Sequence, residues 1–392
     1  MFLERVAGSL GLTLLTLRCG VSTTQRTSCC WSRVLYSTSA SCILSQMEPT
    51  PKRCIIIDTD VGWDDLVAIQ ALLDEPTKKI ALMTTIHGCS SAYMGHQILQ
   101  TCFPDILCVA GEEESPEIPR PEWVDKSRQE MEAALLRSSW TSSNNDEKDE
   151  TTAQSACQAI VDLCFQPESE PTPIFDLLCL GPLTNVAYLM QHNADIVDQY
   201  IDQIYIMGGT LDALVGSEFN FDTDRASAVR VLKSSFAHKI TLVTQTVSQP
   251  DVWSSEFWKE VDDLLHQGED VLSRTPQDDS ESINHDPQQN RNDSTPTQST
   301  NNLIHKILLQ HPDKICWDPV CIYAYLFPQA VETEPTKILV DPTTAALQIP
   351  NNTTDEIASS SNGIPTTIKL LQKPPSEQAY LSRIRQLVVQ HN

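Results

Sequence analysis

The stretch CIIIDTDVGWDDLVAIQALL, residues 54–73, places Asp58, Asp60, Asp64 and Asp65 within eight positions, directly after a run of isoleucines. Carboxylates this close repel one another at the end of a buried strand unless a cation or a reaction uses their charge. Three readings compete. In the first there is no chemistry: a strand ends, a helix begins, and the helix dipole favours Asp64 and Asp65 in its first turn. That leaves Asp58 and Asp60 unexplained. In the second, an aspartate nucleophile and a second aspartate two residues on transfer a phosphoryl group with Mg²⁺ through an aspartyl-phosphate. That chemistry also wants a lysine near the phosphate, and none stands in a matching place. In the third, the carboxylates hold Ca²⁺, which takes about six to eight oxygen ligands. Asp60 and Asp65 would then be on the ion and Asp64 would be left for hydroxyl groups. Gly62 allows the tight turn between strand and helix, and Asp318 in CWDPVC supplies a further oxygen.

Such residues need rigid elements to hold them. Strand-length apolar runs (CIIIDT, KIALMTTI, ILCVA, IFDLLCL, QIYIM, KITLVT) alternate with helix-length amphipathic segments (DDLVAIQALLDE, AYMGHQILQTCF, AQSACQAIVDLCF, TNVAYLMQHN, DRASAVRVLKSS). This alternation predicts an α/β fold, an open, mostly parallel sheet flanked by helices. Sites in such folds form at the carboxyl ends of strands, where the aspartates lie. A β-hairpin is expected near 336–350 and a terminal helix over SEQAYLSRIRQLVV. Residues 138–152 read as a polar linker. Residues 267–302 are low in apolar residues and are expected to be a disordered insertion within a single domain spanning 47–392.

Composition narrows the function classes. A formal charge of −25 over 392 residues argues against nucleic acid or an anionic membrane as partner, and no apolar run is long enough to span a bilayer. Residues 1–46 hold Arg5, Arg18, Arg26 and Arg33 against one acid, Glu4, the composition of a mitochondrial transit peptide. Translation from Met47 would leave the protein in the cytoplasm. The 13 cysteines include no CxxC pair and fit a reducing compartment without a disulfide framework.

DTDVGWDD resembles the DxDxGxDD signature of the nucleoside hydrolases. Four further stretches follow in that family's order: LGPLTNVA at 180–187, IMGG at 206–209, SEFNFDTDRASA at 217–228 and WDPVCIYAYL at 317–326. Each motif is weak alone; five in order are specific. The resemblance implies Ca²⁺-dependent hydrolysis of the N-glycosidic bond of small ribonucleosides by a homodimer or homotetramer. It implies Asp60, Asp65, Asp318 and the Leu180 carbonyl on Ca²⁺, and Asp60 as general base for the attacking water. Asp64, Glu218 and Asn220 would bind ribose. Breaking the bond gives an oxocarbenium-like sugar, which surrounding carboxylates stabilise.

Trp317 stands where many members have His, as in the family's purine-preferring inosine–adenosine–guanosine branch. Trp123 in PRPEW matches that branch's second Trp, and two indoles there would sandwich a purine; Trp317 as plain core is the competing reading. Other positions depart from the pattern. In TIHGCSSAY, Cys89 stands near an expected Asn or Asp, and His87 is a replacement candidate for handling the leaving base. TLDALVG lacks the Asn that contacts ribose, and Val61 replaces a frequent Pro, which reads as a backbone matter. These departures keep open a member that binds a nucleoside or ribosyl compound without turning it over.

Overall fold

Ile55, Ile56 and Ile57 form the middle of strand β1 (Arg53–Thr59), in which every residue after Arg53 is buried. β-Branched residues favour the extended chain, and burial of both faces requires a layer on each side. Ile55 and Ile57 enter one apolar cluster with the helices Trp63–Leu73, Asp318–Leu326 and Glu377–Val389. Cys54 and Ile56 enter a second with the helices Ala153–Cys164 and Thr184–His192. The computed structural model describes residues 53–113, 122–131, 133, 152–165, 173–212, 218–272, 304–350 and 364–389. The expected transit peptide at 1–46 and most of the polar linker lie outside these residues.

The other strands are β2 (Ile80–Thr85), β3 (Cys108–Ala110), β4 (Ile174–Cys179), β5 (Ile201–Met207), β6 (Ile240–Val243), β7 (Thr333–Val340), β8 (Leu347–Gln348) and β9 (Ile364–Leu371). They form a nine-stranded sheet in the order β3-β2-β1-β4-β5-β6-β9-β7-β8. Strands β1 to β6 pair in parallel and β9 continues parallel to β6, while β7 and β8 are antiparallel additions. The chain winds outward from β1 through β2 to β3, then returns to β4 on the other side of β1 and winds the opposite way. The gap at the carboxyl ends of β1 and β4 is therefore the topological switch point, where open α/β sheets place ligands.

The predicted sheet and hairpin are present, with β7 and β8 forming the hairpin. Strand β9 has no counterpart in the sequence reading; in its IPTTIKLL, Pro365, Thr366 and Thr367 separate Ile364 from the other apolar residues. It is fixed by pairing along the whole of β7. The disordered insertion was expected from residue 267, but the helix Ser255–Leu272 continues through that start. The rest of the insertion lies outside the described residues. Every described cysteine is a free thiol. No described helix is long and apolar enough to cross a membrane.

At the amino ends of the strands, the buried Asp176 of β4 accepts from Arg53 Nη1 at 2.9 Å and from the Tyr325 hydroxyl at 2.9 Å. Arg53 also reaches Asp202 at 2.5 Å, and Lys78 Nζ lies 4.6 Å from the centre of the Tyr325 ring.

Candidate active site

After β1, Thr59 and Asp60 lead into a turn at Val61 and Gly62, and the helix Trp63–Leu73 begins with Asp64 and Asp65 in its first turn. Asp65 is held by the turn itself. One oxygen accepts from Gly62 N at 2.8 Å and the other from the Thr59 hydroxyl. Val61 has φ of 55°, the left-handed region that strains a β-branched residue by roughly 1–3 kcal/mol. Proline, fixed near −65°, cannot adopt it, so this turn excludes the Pro that the resemblance leads one to expect at 61. The Val61 side chain is buried, and a Cβ on Gly95 would stand 2.8 Å from its Cγ2.

Asp318 arrives from the far end of the chain, at the start of the helix Asp318–Leu326. Its predecessor, Trp317, also has a positive φ, 59°. Asp64, Asp65 and Asp318 each present an oxygen within 4.8 Å of the others. Burial, then the charges of Asp65, Asp64 and Asp60, push the Asp318 carboxyl well up, and its Oδ1 is buried without a hydrogen-bond partner among the described residues. Burial and the Asp64 charge raise Asp65 to about 7. An all-oxygen donor set with a stranded carboxylate oxygen fits a hard divalent cation. Asp64, expected on ribose, thus stands in this trio.

Asp60, expected both on the metal and as general base, lies beside the trio. Burial and the charges of Asp65 and Asp64 push its carboxyl well up. Its Oδ2 accepts from Cys89 N at 2.7 Å, Ser90 N donates to its carbonyl at 2.8 Å, and a Cβ on Gly88 would stand 2.0 Å from Oδ2. The 88–90 turn is therefore moulded around Asp60, and only glycine fits at 88. Arg128, on the helix Glu122–Met131, grips that turn from outside, donating to the carbonyls of Gly88 and Cys89 at 3.0 Å each.

Asp58 belongs to the scaffold. It is buried, pushed up to about 6 by desolvation, and accepts from Thr84 Oγ1 at 2.6 Å and Asn185 Nδ2 at 2.8 Å, tying β1 to β2 and to the helix Thr184–His192. The Leu180 carbonyl, just past β4, accepts from Asn220 Nδ2 at 3.0 Å, which leaves it a second lone pair. The same Asn220 amide reaches Met207 O at 3.3 Å. Glu218 caps the helix Phe219–Thr223, accepting from the backbone N–H groups of Asn220 and Phe221 and from Gly209 N at 2.8 Å. Those contacts engage Glu218 and Asn220, two of the three residues expected on ribose, with backbone.

His87 is buried, its Nδ1 3.4 Å from Glu112 O and its Nε2 without a partner among the described residues. Burial lowers its pKa, and the charges acting on it are those of Asp224, Glu112 and Glu113 rather than the aspartate cluster. Trp317 is half-buried against the core, and Lys314 Nζ lies 4.9 Å from the centre of its ring. Trp123 is on the helix Glu122–Met131, with its side chain outside the described residues.

Two residues at the site escaped the sequence reading. Lys314 comes within 4.0 Å of Asp64 and 3.8 Å of Asp313, and the Asp64 charge raises its pKa. Neither Lys314 nor Arg128 falls in a motif; only the tertiary fold brings them to Asp64 and Asp60.

The sequence profile of the inosine-uridine preferring nucleoside hydrolases matches residues 55–363. A probable uridine nucleosidase 2 of Oryza sativa subsp. japonica is 29% identical over 198 residues, 48% of this chain and 56% of that protein. The non-specific ribonucleoside hydrolase RihC of Salmonella schwarzengrund is 30% identical over 210 residues, 52% of this chain and 64% of that one. The chain thus spans less than two thirds of the length of these two relatives. Among solved structures, an inosine-guanosine nucleoside hydrolase superposes with a TM-score of 0.57 at 19% identity, covering 86% of this chain and 98% of its own, and so shares the fold.

Proposed function

Because the chain belongs to the inosine-uridine preferring nucleoside hydrolase family, we propose that it hydrolyses the N-glycosidic bond of ribonucleosides, purine nucleosides preferentially, with Ca²⁺. The observation that carries this reading is the meeting of Asp64, Asp65 and Asp318 beside Asp60 at the switch point, with a buried oxygen of Asp318 left unpaired. Asp65 and Asp318, with Asp60 and the Leu180 carbonyl, would hold the ion. When bound, the ion offsets the mutual repulsion of the carboxylates and acidifies a water for attack on the anomeric carbon. Asp60, with one oxygen held by the Cys89 N–H, would take the proton of that water. The remaining carboxylates stabilise the positive charge that develops on the sugar. Trp317 offers a flat apolar surface for a purine. The protein works as a homodimer or homotetramer, in mitochondria if residues 1–46 are used for targeting and otherwise in the cytoplasm.

A second reading, a member that binds nucleosides without turnover, draws on the backbone contacts that engage Glu218 and Asn220. One experiment separates the two. Base release from inosine, adenosine, guanosine, uridine and cytidine is followed with Ca²⁺ and with chelator. Chelator-sensitive release favouring purines supports the hydrolase. Nucleoside binding with no release from any of the five supports the binding protein.

A further inference from the structure

Lys314 is a cation beside the aspartate cluster whose chemistry the hydrolytic scheme does not use. Its side chain is 23% exposed, and its ammonium lies 4.0 Å from Asp64 Oδ1 and 3.8 Å from Asp313 Oδ2. These are attractions through space, longer than hydrogen bonds. No described residue accepts a hydrogen bond from it, so three N–H donors are uncommitted in a half-buried place. The same ammonium sits over the Trp317 ring, 4.9 Å from its centre. It therefore lies between the aspartate expected to hold the sugar and the indole offered to the base.

From this placement we infer that Lys314 reads the leaving base, donating to its exocyclic oxygen, so that inosine and guanosine are preferred to adenosine. The inference rests on the hydrolase reading above. An ammonium is a donor only, and the 6-position of hypoxanthine or guanine is an acceptor, whereas that of adenine is an amino donor. When the bond from C1′ to the base nitrogen breaks, its electron pair goes to the base and spreads onto the oxo group. Water adds to C1′, its proton passes to Asp60, and the departed base anion takes a proton from solvent. The positive charge of Lys314 stabilises that anion as it forms. A phosphate on the substrate is a poorer match for this ammonium, because Asp64 and Asp313 stand beside it and would repel a dianion.

The test is kcat/KM for inosine and for adenosine, measured with Ca²⁺ on the full chain and on its Lys314→Met variant. A charged hydrogen bond made in the transition state is worth about tenfold to hundredfold. The variant is expected to lose that much more on inosine than on adenosine. Equal losses on both would overturn the inference, leaving Lys314 as a counter-charge for Asp64. So would a larger loss on inosine 5′-monophosphate than on inosine. If the wild-type chain releases no base, dissociation constants for inosine and adenosine, from tryptophan fluorescence, take the place of rates. Tighter inosine binding that Lys314→Met abolishes sustains the inference even as the hydrolytic reading fails; no binding of either nucleoside ends both.

Discussion

Asp176 at the amino ends of the strands and Asp65 and Asp318 at the carboxyl ends are about equally hidden from water. Burial raises the pKa of all three. Their neighbours differ. Asp176 meets a guanidinium and a phenol, both donors, whose charge and hydrogen bonds oppose the rise. Asp65 also has donors, the Thr59 hydroxyl and Gly62 N, but the Asp64 charge adds to its rise, and Asp318 meets the charges of Asp65, Asp64 and Asp60, all of which add to its own. The first arrangement is complete within the chain. The second has one cation of its own, Lys314 beside Asp64, and positive charge from outside would relieve the rest, the asymmetry on which the proposed site rests.

The contrast can be broken from either end. The largest effect is on catalysis. Asp60→Ala is expected to lower kcat for the best purine nucleoside by about 10²–10⁴-fold, and a variant that keeps wild-type kcat would remove Asp60 from its role. Next comes pH. The folded carboxyls of Asp58 and Asp65, at about 6 and about 7 against an ordinary 3.8, keep protons that the unfolded chain has lost. The native state then binds more protons than the unfolded one, so stability in chelator falls as pH rises from about 4 to about 7, by roughly 3 kcal/mol for Asp58 alone. Urea denaturation along that range checks it. Ca²⁺ should restore the part due to Asp65 and leave the part due to Asp58.

At the other end, Tyr325→Phe removes a donor from buried Asp176 and should cost about 1–3 kcal/mol at pH 7, with no effect on turnover. Arg128→Ala should lower kcat about tenfold, a modest fraction of what a general base supplies, because the turn that fixes Asp60 loses its outer grip. KM should change less than kcat; a change confined to KM would reassign Arg128 to substrate binding. Smallest is Asp318→Asn in chelator. It removes one of four mutually repelling acids and is expected to raise stability at neutral pH by about 1 kcal/mol, while abolishing the rise in Tm on adding Ca²⁺. The amino-end and carboxyl-end changes thus carry opposite signs.

How much of this was legible beforehand follows from chain distance. Asp58, Asp60, Asp64 and Asp65 share one turn, so their crowding is visible in a single line of sequence, as is the isoleucine run that makes β1. Asp318 was found only through a motif far along the chain. Lys314 and Arg128 owe their positions to contacts with residues 64, 88 and 89, which no local pattern encodes. Asp58 looked like part of the cluster and proved to be a tie between β1, β2 and the helix Thr184–His192, a distinction set by the direction its side chain takes from the strand. Strand β9 escapes a local reading because Pro365, Thr366 and Thr367 interrupt its apolar pattern, and pairing along β7 sets its extent.

The contact between Val61 and Gly95 bears on how this sequence can drift. A methyl at 95 would press on the Val61 side chain at 2.8 Å, so Gly95→Ala alone forces Val61, in the strained turn beside Asp60, to shift. Once position 61 is smaller, the same alanine fills space and favours its helix. The two sites are therefore epistatic: a lineage can exchange both, but only in one order, and a variant library that samples position 95 alone would score its glycine as indispensable when it is conditional.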